Sequence, residues 1–231
     1  MKDSINAMNG PVFSSIGISR LRMLNDGDGV TTLCAGFGCT LRCRYCLNPQ
    51  CFAAKRPART YTVPELLDEV RIDDLYFQAT NGGVVFGGGE PLMQADFIHA
   101  FRGACPKEWR LGLESSLAVP SEELRKVVKD LDYFLIDIKD MNPEIYHAYT
   151  SRANDHVLAN LRILAEEADL DQVVVRIPLI RDFNTPKDQQ CSREVLENMG
   201  FHRFDLFSYN VEAAQEKLQK VTGVNDAIPQ A

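Results

Sequence analysis

Tyr133-Phe134-Leu135-Ile136-Asp137-Ile138 is apolar at five of six positions, with a single acid near its end. A strand with one face in water alternates apolar and polar residues, so a near-continuous apolar run predicts burial on both faces. That is the state of a parallel strand covered by helices. Working outward, apolar and β-branched runs predict further strands over 30–35, 83–86, 110–113, 172–177 and 204–209. Between the runs, a period near 3.6 predicts helices over 63–77, 93–104, 121–131, 155–168 and 186–199. Start signals agree with several of them: Ser121 precedes Glu122 and Glu123, and Pro64 precedes Glu65. Six strand–helix repeats imply parallel strands with right-handed crossovers. The architecture is α/β, either a doubly wound open sheet or a partial barrel.

Both architectures put ligand chemistry beyond the C-terminal ends of their strands. A cysteine cluster follows the first predicted strand, and Gly87-Gly88-Gly89-Glu90-Pro91 follows the second. Glu114-Ser115-Ser116 ends the third, Asp137 and Lys139 end the fourth, Arg176 falls late in the fifth, and Tyr209-Asn210 close the sixth. One rim collects six polar elements, the arrangement of an enzyme.

The 231 residues, 45% hydrophobic and 25% charged, suit a single domain (1–231, core about 20–210) without repeats or linkers. The formal charge of −7 argues against a nucleic-acid partner, which calls for a basic footprint. No apolar run approaches the roughly 20 residues of a membrane span. The polar start Met1-Lys2-Asp3-Ser4 has no signal-peptide character. The expected location is cytoplasmic, which implies reduced thiols, and seven cysteines suit a disulfide framework poorly.

Cys39, Cys43 and Cys46 have C-x3-C-x2-C spacing, which lets three thiolates on one short loop converge on a soft metal centre. Zinc and iron–sulfur clusters both take such ligands. Three thiolates on a four-iron cluster leave one iron open; Cys51, five residues on, could instead close a four-cysteine site. Asp137 and Lys139, two apart on one strand, share a face, as ligand contacts or as an internal ion pair. Arg176 is a lone cation in an apolar strand, either an anion clamp or half of a salt bridge. The three glycines permit close backbone approach to a ligand, or simply a tight turn. His99, His147, His156 and His202 show no metal spacing, and Cys105 and Cys191 read as inert thiols.

The cysteine triplet with Tyr45 before its last member resembles the radical S-adenosylmethionine (SAM) superfamily. Flanking segments resemble one branch of it, the glycyl-radical enzyme activating enzymes such as the pyruvate formate-lyase activating enzyme. Asp26-Gly27-Asp28-Gly29-Val30-Thr31-Thr32 is similar to their D-G-P-G-I-R-T, and Asn48-Pro49 to the end of H-N-P. Phe86-Gly87-Gly88-Gly89-Glu90-Pro91-Leu92 is similar to F-S-G-G-E-P-L, and Asp137-Ile138-Lys139-Asp140-Met141-Asn142 to D-L-K-x-M-D. Tyr149–Asn154 with Asn160 follows a T-G-x-x-N…N pattern, and the likeness runs over about residues 10–210.

The resemblance implies a partial (β/α)6 TIM-like barrel with a [4Fe–4S] cluster on Cys39, Cys43 and Cys46. SAM would cap the open iron, with contacts at Tyr45, Gly88, Gly89, Glu90, Ser115, Asp137, Lys139, Arg176 and Asn210. A monovalent cation could lie between Glu114 and Asp137. An electron from flavodoxin or ferredoxin would cleave SAM to a 5′-deoxyadenosyl radical, which takes hydrogen from a glycine of a partner glycyl-radical enzyme. No ferredoxin-like insert is expected. Departures from the pattern are Thr31 for Arg, Leu47 for His, Gly87 for Ser, Tyr146 and Asn210 for His, and Ser151 for Gly. Two competing readings are a radical SAM enzyme acting on a small molecule or peptide, and a closed four-cysteine electron carrier or zinc-stabilised module.

Overall fold

The computed structural model describes residues 10–23, 26–53 and 57–222; the polar start at 1–6 lies outside them. Eight strands occur among those residues: β1 (Val12–Met23), β2 (Val30–Gly36), β3 (Arg59–Thr62), β4 (Gly83–Gly88), β5 (Arg110–Ser115), β6 (Tyr133–Asp137), β7 (Val173–Leu179) and β8 (Phe204–Ser208). The sheet order is β3-β1-β2-β4-β5-β6-β7-β8. The six predicted strands, β2 and β4 through β8, pair parallel in chain order. The sheet does not close, so the partial-barrel expectation holds.

β1 and β3 extend the sheet beyond β2 as antiparallel strands, which the six-strand reading omits. Their sequence carries little strand signal. β1 changes register between Ser15 and Gly17 and again between Ser19 and Arg22, and each bulge resets the alternation that a period of two would reveal. β3 is four residues long.

The helices are α1 (Gln50–Ala53), α2 (Val63–Arg71), α3 (Asp74–Thr80), α4 (Ala95–Ala104), α5 (Ser121–Val127), α6 (Pro143–Thr150), α7 (Asp155–Glu167), α8 (Pro186–Asn198) and α9 (Val211–Thr222). The single helix expected over 63–77 is two, α2 and α3. Asp73 sits between them, fully buried, and accepts hydrogen bonds from Arg20 Nε at 2.9 Å and Thr32 Oγ1 at 2.7 Å. An acid tied to the sheet in this way interrupts the helical ladder. α6 starts as its sequence dictates, with Asn142 Oδ1 accepting from Glu144 N at 2.9 Å and Pro143 in the first turn.

Between sheet and helices lies a core of Phe13, Phe86, Phe97 and Phe101 in mostly edge-on contacts, with Phe77 against Trp109 at 5.2 Å. A second, smaller cluster of Val85, Tyr133 and Leu135, with Leu33 and Val174 against it, fills the concave side of the sheet. Alternation then dictates what comes next on that side: Gly87, Glu114, Asp137 and Arg176 stand two residues further along β4, β5, β6 and β7. The apolar plug is thus capped by charge, and the charge faces the rim.

Candidate active site

A cavity of about 350 Å³ opens at that rim. Cys39, Cys43 and Cys46 line one side of it, Gly88 and Gly89 the next, and Glu114, Ser115, Asp137, Lys139 and Arg176 the other. Ten of the predicted site residues therefore share one space. Leu41, Leu47, Asn48, Ser116, Tyr149, Asp205, Phe207 and Tyr209 complete the lining. The last three are alternate residues of β8 and its end, so the period of the strand points to them once the face is known.

The cysteine loop is held from two directions. Arg42 N donates to Thr150 O and Arg44 N to Tyr149 O, both at 3.0 Å, so the loop uses carbonyls that the end of α6 leaves unpaired. On the other side Gly89 N donates to Gly36 O at 3.0 Å and Glu90 N to Gly38 O at 2.9 Å, while Asn48 Nδ2 donates to Gly88 O at 2.8 Å. This contact explains the glycine: a Cβ on Gly89 would lie 2.0 Å from Gly38 O. The close approach belongs to loop-to-loop packing as much as to any ligand.

Leu41 N points at Cys39 Sγ at 3.4 Å and Asn48 N at Cys46 Sγ at 3.3 Å, an arrangement that favours thiolate. Burial opposes it, pushing the Cys39 thiol up to about 12 and raising Cys43 and Cys46 as well. A metal centre that takes these sulfurs must therefore displace protons. Among the described residues no three His, Cys, Asp or Glu side chains group closely enough for a single metal ion. Three cysteine sulfurs on one cavity wall are the donor set of a soft metal centre. Cys51 takes no part in the cavity. It is 3% exposed and its Sγ lies 3.6 Å from Gly36 O at the end of β2.

The charged side of the cavity is internally paired. Arg176 Nε donates to Asp137 Oδ1 at 2.6 Å, and its Nη2 to Glu114 Oε1. Lys139 Nζ reaches Asp137 Oδ2 at 3.3 Å. Burial alone would raise Asp137, but Lys139 and Arg176 outweigh it and hold the carboxyl below its usual range. For Glu114 burial wins and the pKa is raised. Lys139 and Arg176 are held fully cationic, the carboxylates outweighing their desolvation. The guanidinium already sits between Glu114 and Asp137, where a monovalent cation was expected. The 3.3 Å contact is the weaker link, so Lys139 is the cation best able to swing to an incoming carboxylate, while Arg176 stays tied.

Three expected contacts lie outside the cavity. Glu90 is 1% exposed; its Oε1 accepts from Leu92 N at 3.2 Å and Ser115 Oγ at 2.7 Å. Its Oε2 accepts from Ser116 N at 3.1 Å and Ser116 Oγ at 2.7 Å. With every lone pair engaged behind the wall, Glu90 braces the Ser115-Ser116 turn. Tyr45 turns outward against Phe183 and Tyr149, its hydroxyl 3.3 Å from Asp182 Oδ2, and its carbonyl accepts from Tyr209 Oη at 2.6 Å. Asn210 is exposed and caps α9, its Oδ1 accepting from Ala213 N at 2.9 Å. The neighbouring Tyr209 lines the cavity instead.

The family model described as the radical SAM superfamily matches residues 34–187, a span that includes the cysteine loop, the glycine turn, Asp137, Lys139 and Arg176. The chain belongs to the radical SAM superfamily. Among its relatives, the pyruvate formate-lyase-activating enzyme of Staphylococcus aureus (strain USA300) is 30% identical over 219 residues, 87% of this chain and 86% of that one. The (2S)-3-sulfopropanediol dehydratase activating enzyme of Klebsiella oxytoca is 38% identical over 134 residues, 57% of this chain. The 4-hydroxyphenylacetate decarboxylase activating enzyme of Clostridioides difficile (strain CD196) is 36% identical over 152 residues, 65% of this chain. This radical SAM chain spans 41% and 46% of the length of the latter two. Among solved structures, Streptococcus suis SuiB bound to precursor peptide SuiA superposes with a TM-score of 0.60 at 13% identity, covering 86% of this chain and 41% of that one. At that identity the likeness is one of fold.

No helix among the described residues is long and apolar enough to cross a membrane.

Proposed function

We propose that this chain is a glycyl-radical enzyme activating enzyme: a radical SAM protein whose hydrogen-atom donor is a backbone glycine of a partner glycyl-radical enzyme. Support comes from the relatives, three differently named activating enzymes at 30–38% identity. The single observation that carries the chemistry is that Cys39, Cys43 and Cys46 line one cavity together with Lys139, whereas Cys51 is not part of that lining and its thiol bonds Gly36 O. Three thiolates and no fourth leave an iron of a [4Fe–4S] cluster for a small molecule. A cluster and SAM bound there supply a low-potential electron and the radical chemistry that follows, and flavodoxin or ferredoxin is the electron source in this reading.

The chain's own residues position the cofactor. Lys139 would take the carboxylate of the methionine moiety. The backbone of Gly88 and Gly89 would meet its amino group, and Ser115, Ser116 and Asp205 offer polar contacts elsewhere on the wall. Leu41, Leu47, Tyr149 and Phe207 exclude water from the reacting centre.

Low-temperature EPR of anaerobically reconstituted, reduced protein tests the reading. A [4Fe–4S]⁺ spectrum that changes on adding SAM is expected. A cluster spectrum indifferent to SAM, or bound zinc and no cluster, would overturn it. The activase half needs a glycyl-radical doublet on a partner enzyme; SAM cleavage with no such signal would favour a small molecule or peptide.

A further inference from the structure

We propose that the Tyr146 hydroxyl donates a hydrogen bond to cluster sulfur on the Cys43 side and raises the reduction potential of the cluster. The inference rests on the cluster reading above and concerns a residue that lies outside the cavity lining.

Tyr146 lies on α6, 1% exposed, and its hydroxyl has no hydrogen-bond partner among the described residues. A buried hydroxyl without a partner is costly, and folded proteins rarely keep one without a reason. Its setting supplies the reason. Tyr149, three residues on and therefore on the same helix face, lines the cavity. The carbonyls of Tyr149 and Thr150 hold the amides of Arg44 and Arg42, the two residues that flank Cys43. Tyr146 thus stands one turn behind the point where the cysteine loop is fastened, in the same packed core as Leu41 and Cys43.

Two further observations converge on the sulfur. Cys39 Sγ and Cys46 Sγ each have an amide donor, from Leu41 and Asn48, whereas none is found for Cys43 Sγ among the described residues. Among the described residues, the buried side-chain atoms lacking partners are Thr31 Oγ1, Thr40 Oγ1, Tyr146 Oη, Ser151 Oγ and Asn160 Oδ1. Three of them belong to the cysteine loop, α6 or its cap. Thr40 and Ser151 are short side chains whose carbonyls are both held by exposed Arg152, at 3.2 and 3.0 Å, on the outer side of the loop. Tyr146 has the longest side chain of the three, on the helix whose last carbonyls hold the residues on both sides of Cys43. A donor to cluster sulfur favours the more negative, reduced state, and hydrogen bonding to sulfur is one of the protein's levers on potential.

The test compares wild type and Tyr146→Phe as reconstituted holoproteins, in an EPR-monitored redox titration without SAM, together with thermal unfolding of both metal-free proteins. The expected result is that Tyr146→Phe binds the same iron and sulfide but shows an about tenfold lower ratio of reduced to oxidised cluster at a fixed solution potential. For a one-electron couple that is a fall of about 59 mV. The metal-free variant should unfold at the same temperature or higher, because it loses an unpaired hydroxyl. Coincident titrations would overturn the assignment and leave the cluster reading standing. A lower unfolding temperature for the metal-free variant would also overturn it, since the hydroxyl would then have its partner within the protein. Absence of a cluster from wild type itself would remove the reading on which the inference rests.

Discussion

Replacing Glu90 with glutamine separates two roles that the same residue could play. As a ligand contact, Glu90 would meet an amino group in the cavity. As a brace, its carboxylate serves Leu92 N, Ser115 Oγ, Ser116 N and Ser116 Oγ behind the wall. Glutamine keeps one oxygen and turns the other acceptor into a donor. The serine hydroxyls can rotate to accept, but whichever oxygen is lost strands one buried amide, Leu92 N or Ser116 N. Leaving such a donor unsatisfied costs about 1–3 kcal/mol. In a chain of this size each kcal/mol moves the unfolding temperature by about 2–4 °C, so a fall of roughly 2–12 °C is expected. Because the cavity lining keeps every side chain, affinity of reconstituted Glu90→Gln for SAM should stay within a few-fold of wild type. Calorimetric unfolding and titration calorimetry read the two quantities on one preparation. An unchanged melting temperature with a hundredfold loss of affinity would refute the brace and restore the direct contact.

Arg176→Met leaves Glu114 and Asp137 facing each other without their shared cation, a loss of about 3–5 kcal/mol. Asp137 keeps Lys139, but Glu114, already raised by burial, loses the cation that lowers it and rises further above its unfolded value, so the penalty is full at neutral pH and shrinks as pH falls toward the ordinary carboxylate range. Unfolding temperatures of the variant against wild type from pH 7 to 5 should converge; a constant gap would contradict the pairing. Cys51→Ala should retain wild-type iron and sulfide and lose only about 1 kcal/mol for a small buried group, whereas Cys43→Ala should lose its cluster. Iron analysis of the two variants decides, and equal iron loss would bring back the four-cysteine site. Ser151 ends α6 with φ +58°, a conformation that costs a non-glycine residue about 1–2 kcal/mol. After glycine's own entropic cost, Ser151→Gly should gain up to about 1 kcal/mol in thermal unfolding, and a loss would mean that the serine hydroxyl has a structural partner.

Much of this arrangement is legible in the chain because two periodicities are. β6 and its parallel neighbours are apolar on both faces, and the parity of Glu114, Asp137 and Arg176 puts them on one side of the sheet before any coordinate is known. The cysteine spacing is likewise local. What the sequence hides is direction. Glu90 and Tyr45 sit beside residues that do line the cavity, but one backbone step separates a side chain that faces it from one that faces the scaffold. Asn210 is a helix cap one residue past the wall, and the signal for Tyr209, Phe207 and Asp205 was alternation within β8. Bulges erased the same alternation in β1. The break between α2 and α3 depends on Asp73 finding Arg20 and Thr32, contacts 53 and 41 residues away that no local pattern announces.

The cysteine loop takes its shape from the amides and carbonyls of α6 on one side and of the glycine turn on the other, none of which involves sulfur. The sulfurs of Cys39 and Cys46 add only contacts within the loop, from the amides of Leu41 and Asn48. In small zinc domains the ion is the keystone and its removal unravels the chain; here backbone hydrogen bonds tie the loop to its neighbours on both sides. A substitution at one of these cysteines would therefore change the chemistry offered at the rim and leave the fastening of the loop in place.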